Sequence, residues 1–203
     1  MNYLAHIYLS ENDEKVAIGN FISDSIRGKN YLNYPKEIQV GILLHREIDT
    51  FTDAHPIVRQ STKRLHKNYG HYAGVIVDVF YDHFLAKNWS NYSAIPLYEF
   101  IQGFYTNLRN HKAILPKRIQ EFMPYMIEDN WLYGYKDLDG IQQVLEGINR
   151  RTKYRSKMNL ALKELQEFYT EFETEFNLFF KELIELTTVK HNEIKERIYA
   201  TSL

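Results

Sequence analysis

Residues 165–183 have the sequence LQEFYTEFETEFNLFFKEL, in which apolar side chains recur at steps of three and four residues along the segment. Glu, Lys and Gln occupy the opposite side, so the pattern is that of an amphipathic α-helix. Such a helix either packs on the core of its own chain or offers its apolar face to a partner, and we favour the first interpretation. The apolar face consists of Leu165, Phe168, Phe172, Phe176, Phe179 and Leu183.

The same spacing extends through most of the chain, which has only five prolines and nine glycines in 203 residues. It predicts an all-α protein in which Pro35, Pro56, Pro96 and Pro116 each fall at a first helical turn. Residues 28–35 are predicted to form a loop. The predicted helices are 13–24, 36–54, 56–69, 73–88, 95–111, 116–127, 137–150, 157–187 and a C-terminal piece from about residue 190.

No internal repeat, low-complexity tract or long linker divides the chain. We therefore expect a single compact all-helical domain over residues 1–203. Six of the eight histidines and six of the nine aspartates fall in the first 83 residues. This asymmetry predicts that the helices of residues 1–90 build a functional site and that those of residues 91–203 support it.

The composition excludes several classes of protein. A net charge of −1 gives no overall positive field for nucleic acid. The absence of cysteine excludes disulfides and thiolate metal sites, and it fits a reducing compartment. The N-terminus lacks the basic region of a signal peptide, and no stretch approaches about 18 uninterrupted apolar residues. We expect a cytoplasmic protein without a membrane span.

The densest group of metal-binding residue types lies in residues 45–56. His45, Asp49 and Asp53 step by four residues and share one face of a predicted helix, as do Asp78 and Asp82 on a later one. Imidazole and carboxylate together suit Mn, Fe, Zn or Mg, and such an ion lowers the pKa of bound water. The charged side chains on this face, called here the His/Asp stripe, must be paired, solvated or bound to metal, because burying an unpaired charge costs several kcal/mol.

Each of these residues also has a structural interpretation. Asp53 could cap the helix that begins near Pro56. Asp78, Asp82 and the adjacent His83 could form a salt bridge with an arginine such as Arg46 or Arg27.

Two further sets of candidate site residues precede the His/Asp stripe in the sequence. Asn20 and Asp24 are four residues apart, and Asp24 could simply end its helix. Gly19 within that helix lowers its stability by about 1 kcal/mol, which often marks the close approach of another helix. His6 lies in an apolar segment and could be a core histidine whose hydrogen bonds are satisfied.

Known motifs of other enzyme classes are missing from the sequence. It contains no Gly-rich phosphate loop, no His-Glu-x-x-His and no Gly-x-Ser-x-Gly. It also lacks the Glu-x-x-His pair of ferritin-like di-iron proteins.

Several collinear motifs closely resemble the acyl carrier protein phosphodiesterase family, whose members are helical and distantly akin to HD-domain metal phosphohydrolases. The resemblance covers about residues 1–190, and the first 90 carry most of its specificity. The motifs are MNYLAH at 1–6, GNFISD at 19–24, RG at 27–28, GILLHREID at 41–49, TDAHP at 52–56, DVFYDHFL at 78–85, WLYGY at 131–135 and GINRR at 147–151.

The resemblance implies hydrolysis of the phosphodiester that joins 4′-phosphopantetheine to a serine of holo-acyl carrier protein. It also implies a divalent metal, with manganese first and Mg, Fe or Zn as alternatives, in an HD-like core. The chain departs from ordinary HD proteins because no adjacent His-Asp pair occurs, and the corresponding pair is Asp82-His83.

We predict that Asp24, His45, Asp49 and Asp82 supply most of the metal ligands, because they come from three separate helices. Other nearby residues are predicted to orient the ligands, transfer protons or contact the phosphate. This second set comprises His6, Asn20, Arg46, Asp53, His55, Asp78 and His83.

Carrier proteins are acidic, so we expect a local basic surface to receive one. The candidate stretches are residues 63–67, residues 109–112 with 117–118, and residues 150–155. One alternative function is an HD-like phosphohydrolase that acts on a nucleotide or another small phosphoester. Another is a non-enzymatic helical interaction protein whose His and Asp residues form structural ion pairs.

Overall fold

The computed structural model describes residues 2–11 and 13–200, and every regular element within these ranges is helical. This confirms the predicted all-α class. The ends of the predicted domain, including Met1 of the first motif, lie outside the described residues. The α-helices are α1 (Tyr3–Tyr8), α2 (Glu14–Ile22), α3 (Lys36–Ala54), α4 (Pro56–Tyr69), α5 (Ala73–Lys87), α6 (Leu97–Asn110), α7 (Lys117–Glu128), α8 (Trp131–Gly134), α9 (Leu138–Arg151), α10 (Leu162–Glu167) and α11 (Tyr169–Ala200).

Most predicted helices are confirmed to within two residues. Helices α3 and α4 begin and end where the sequence predicts, because prolines fix their starts. Pro35 precedes the first residue of α3, and Pro56 is the first residue of α4. Both positions lack an intrahelical partner for the backbone N–H, so the proline costs nothing there.

Helix α2 crosses α3 in direct backbone contact at Gly19 and Gly41. A side chain at Gly19 would overlap the carbonyl oxygen of Ile38, and one at Gly41 would overlap the carbonyl oxygen of Val16. This confirms that Gly19 marks a close helix approach. The crossing brings the backbone of Asn20 against the imidazole of His45 on α3.

Helix α5 is the central helix, and it is buried around nearly its whole circumference. Helix α11 packs on α3, α4 and α5 through its apolar stripe. Phe172, Phe176, Phe179 and Leu183 are all fully buried, and Phe80 of α5 meets Phe172 edge-on. The apolar face of this segment therefore packs on the protein's own core.

Three predictions about secondary structure are corrected. The helix predicted at 157–187 is broken at Phe168, which lies outside helical geometry between α10 and α11. Helix α11 then continues without interruption to Ala200, so no separate C-terminal piece exists. The predicted loop at 28–35 contains two turns of 3₁₀-helix, Gly28–Asn33, and the short helix α1 was not predicted.

Candidate metal centre

Asn20 lies at the junction of α1, α2 and α3 and is fully buried. Its side-chain amide donates to the carbonyl oxygen of His6 at 2.8 Å and to Oγ of Ser10 at 3.2 Å. These two bonds fix the orientation of the amide, so its Oδ1 must be the atom that accepts from Nδ1 of His6 at 2.7 Å. The backbone carbonyl of Asn20 accepts from Nδ1 of His45 at 2.9 Å.

One residue thus sets the proton position of two imidazoles. Because Nδ1 of His6 and Nδ1 of His45 both donate to oxygen atoms of Asn20, each ring presents its Nε2 to the carboxylate of Asp49. The rings stack with centroids 4.0 Å apart and an angle of 18° between their planes. Hydrogen bonding of one ring nitrogen to orient the other toward a metal is common among metal-binding histidines.

The carboxylate of Asp49 completes the group. Its Oδ1 lies 3.3 Å from Nε2 of His6, and its Oδ2 lies 3.0 Å from Nε2 of His45. One ligand atom from each of His6, His45 and Asp49 lies within 4.8 Å of the others. Oδ1 of Asp24 lies 3.2 Å from Nε2 of His45, so Asp24 borders the same group.

This donor set fits a divalent cation. With Nδ1 protonated, Nε2 of a neutral imidazole carries a lone pair, and here it faces carboxylate oxygens that also carry lone pairs. Only a proton or a cation between them makes the approach favourable. Two nitrogens and carboxylate oxygens suit borderline and hard ions such as Zn, Fe and Mn.

The two histidines differ in pKa. Burial, with the nearby charge of His45, lowers the pKa of His6 to about 4. Burial also opposes the charged form of His45, but hydrogen bonds and charges from Asp24 and Asp49 outweigh it and raise the pKa of His45 to about 9. The side chains of Asp49 and Asp24 are 41% and 71% exposed, so the centre is accessible to solvent from their side.

The structure does not bring Asp82 to this group. Its two carboxylate oxygens accept the backbone N–H groups of Leu4 at 2.7 Å and Ala5 at 3.2 Å, and the side chain is fully buried. These amides belong to the first turn of α1, where such donors have no intrahelical partner. The contacts of Asp82 therefore place it at the N-terminus of α1, whereas His6, predicted as one of the surrounding residues, lies with His45 and Asp49.

Two predicted site histidines also lie elsewhere. His83 donates from Nδ1 to the carbonyl oxygen of Tyr135 at 2.8 Å and accepts from the Tyr169 hydroxyl at 2.7 Å, while burial lowers its pKa. His55 places its Nε2 3.2 Å from Oε2 of Glu182. Both histidines join helices of the core and do not contact the candidate centre.

Arg46 stabilises the 3₁₀ segment that follows α2. Its Nη2 donates to the carbonyl oxygens of Ile26 at 3.1 Å and Gly28 at 2.9 Å, and its guanidinium lies 5.5 Å from the ring centroid of Tyr31. These contacts do not bring Arg46 to the group of His6, His45 and Asp49.

Asp53 and Asp78 lie beside the centre. Asp53 follows Asp49 by one turn of α3, and both Asp53 and Asp78 line a cavity of about 590 Å³. Burial raises the pKa of Asp78, and the negative charges of Asp49 and Asp53 raise it further. Asp53 and Asp78 therefore share one cavity, which Asp53 places one turn of α3 from Asp49.

The sequence placed His6 in the second set of site residues rather than among the candidate ligands, and it did not indicate Ser10. Ser10 is fully buried, accepts from the Asn20 amide and donates to the carbonyl oxygen of His6 at 2.9 Å. The fold and site together define an all-helical protein with a candidate centre for a divalent cation. Among the described residues, no helix combines the length and apolar character that crossing a bilayer requires.

The chain belongs to the acyl carrier protein phosphodiesterase family, whose model matches residues 1–183. An acyl carrier protein phosphodiesterase of Photorhabdus laumondii is 31% identical over 188 residues, covering 91% of this chain and 94% of the relative. One of Shigella boydii is 32% identical over 185 residues, covering 91% and 96% respectively. No solved structure matches the chain significantly, so the HD-like arrangement stays a prediction.

Proposed function

We propose that this protein hydrolyses the 4′-phosphopantetheine–serine linkage of holo-acyl carrier protein, giving apo-carrier protein and 4′-phosphopantetheine. Membership of the acyl carrier protein phosphodiesterase family supports holo-acyl carrier protein as the substrate. The observation that carries metal-dependent hydrolysis is the convergence of two imidazole Nε2 atoms on Asp49, with both Nδ1 atoms held by Asn20. Without a site of this kind, a negatively charged phosphodiester resists attack.

We propose that His6, His45 and Asp49 hold the metal, that Asp24 contributes from the exposed side, and that manganese is the ion. A bound divalent ion neutralises phosphate charge and lowers the pKa of water at its surface. The carboxylates bind the cation, and the imidazoles keep their Nε2 atoms directed at it through Asn20.

Asp78 is our candidate for the general acid that protonates the serine oxygen as the diester breaks. Its pKa is raised by burial, so its protonated form is favoured relative to an ordinary aspartate. The cavity that it lines gives a substrate access to this carboxyl group. Asp53 lines the same cavity and is exposed, so it adds a negative charge there.

An acidic carrier protein would approach through a local basic surface. The candidates are residues 63–67, residues 109–112 with 117–118, and residues 150–155. We also propose a cytoplasmic location, which agrees with a chain that has no cysteine.

The test is direct incubation of purified protein and Mn²⁺ with holo-acyl carrier protein. We expect the mass of the carrier to fall by that of 4′-phosphopantetheine less one water, and chelation of the metal to stop the reaction. Intact carriers in the presence of bound metal would contradict the proposal. Turnover of small phosphoesters by such a protein would then support the alternative phosphohydrolase.

A further inference from the structure

Helix α4 carries a line of exposed cations that no described carboxylate neutralises. Arg59, Lys63 and Lys67 are spaced by four residues, so they share one face, and His66 lies beside them. The side chains of Arg59, Lys63 and Lys67 have no acidic side chain within 4 Å in residues 2–11 and 13–200. Arg59 donates to the backbone carbonyl oxygen of Asp53 at 3.3 Å. We call Arg59, Lys63, His66 and Lys67 the α4 basic stripe.

The α4 basic stripe lines the cavity of about 590 Å³ together with Asp53 and Asp78. Asp53 is one turn of α3 from Asp49 of the candidate metal centre, a rise of about 6 Å. A molecule bound along the stripe would therefore lie next to the metal centre.

The helix that presents the stripe is held firmly from its opposite face. Arg64 pairs with buried Glu175 of α11 through both terminal nitrogens, and Ser61 and Gln60 donate to the same carboxylate. Ser61 also hydrogen-bonds the Tyr81 hydroxyl at 2.8 Å. Since α4 is fixed to two core helices, the spacing of the exposed cations is preorganised.

That spacing indicates the kind of ligand. Arg59 and Lys67 are eight residues apart, so the stripe extends about 12 Å along the helix. A single phosphate group cannot contact cations distributed over that length, whereas carboxylates at successive turns of an acidic helix can. Charge complementarity of this kind accelerates and orients protein association.

We propose that the α4 basic stripe is the docking surface for the acidic carrier protein. This inference rests on the proposed function and selects residues 63–67 from the three candidate surfaces. In this arrangement the carrier lies along α4, and its modified serine reaches the centre past Asp53 and Asp78.

The test uses the full-length double variant Lys63→Glu/Lys67→Glu with holo-acyl carrier protein. We expect the KM to rise at least tenfold, the kcat at saturation to change less than twofold, and the dependence of KM on salt to weaken. Lys63→Gln/Lys67→Gln repeats the measurement with neutral side chains if the first variant does not fold. Lys195→Glu, an exposed charge reversal on α11, is the matched control and should leave the KM unchanged.

The two competing stretches are tested together with Arg118→Glu/Arg151→Glu, which reverses one charge in each. If that variant raises the KM and both α4 variants do not, the docking assignment is overturned while the proposed function stands. Carrier binding is also measured by calorimetry, independently of turnover. If the wild-type protein binds the carrier without cleaving it, the proposed function is overturned but docking on α4 is not. If the wild-type protein neither binds nor cleaves the carrier, both proposals are overturned.

Discussion

The Asp82 carboxylate on α5 accepts the backbone N–H of Leu4 at 2.7 Å, and this contact anchors α1 to the central helix. A second bond, from the N–H of Ala5 at 3.2 Å, uses the other carboxylate oxygen. His6 follows immediately, so the position of its imidazole depends on this anchor. Burial raises the pKa of Asp82 to about 7, while the two amide donors favour its ionised form.

Replacing Asp82 with Ala should destabilise the fold. The change leaves two buried N–H groups without acceptors, and we expect a loss of about 2–6 kcal/mol at about 1–3 kcal/mol for each donor. Urea unfolding followed by circular dichroism measures this difference. The exposed Asp53→Ala is the control, with an expected change within about 0.5 kcal/mol. Full stability of Asp82→Ala together with loss of metal would instead support a ligand role for Asp82.

His6→Ala should remove metal binding without unfolding the protein. The ring supplies one of the three converging ligands, so we expect the affinity for Mn²⁺ to fall at least a hundredfold and carrier hydrolysis to be lost. Metal titration and circular dichroism of the same sample separate binding from folding. The exposed His71→Ala is the matched control. Retention of wild-type metal affinity by His6→Ala would show that α1 contributes no ligand.

Metal binding at pH 7 should release about one proton for each site. In the metal-free protein the pKa of His45 is raised to about 9, so its ring is protonated at pH 7 and must lose that proton to bind. The pKa of His6 is lowered to about 4, so this ring is already neutral.

The apparent affinity for metal should therefore rise about tenfold for each pH unit between pH 7 and about 9 and then level off. Calorimetry in buffers of different ionisation enthalpy counts the protons. Release of no proton, or of two protons, would contradict the assignment of a protonated His45 and a neutral His6.

The helical fold was predictable because its signals are local. Prolines mark the starts of α3 and α4, and the spacing of apolar residues marks the buried faces. The four-residue step from His45 to Asp49 likewise placed both side chains on one face, where the structure has them 3.0 Å apart.

The role of His6 was not predictable in this way. Helix α1 has only six residues, too few for a periodic pattern, and its position depends on contacts with residues far away in sequence. The spacing of Asp78 and Asp82 suggested a shared function, yet Asp82 points to α1 while Asp78 lines the cavity. Helical spacing identifies a common face but not the partner that covers each part of it.

The contact between α2 and α3 gives the last prediction, because the metal centre depends on it. A methyl group at Gly41 would overlap the carbonyl oxygen of Val16 and approach the backbone nitrogen of Asn20 at 2.7 Å. Gly41→Ala should therefore separate the helices and destabilise the protein by about 3 kcal/mol or more. It should also weaken metal binding, since the carbonyl of Asn20 would move away from Nδ1 of His45.

Gly103→Ala on α6 is the matched control, because nothing lies within 4 Å of the added methyl group. That variant should be more stable by up to about 1 kcal/mol, from helix propensity alone. Thermal unfolding and Mn²⁺ titration of both variants provide the comparison. If Gly41→Ala matched Gly103→Ala in both measurements, close contact of the two backbones would not be what holds Asn20 against His45.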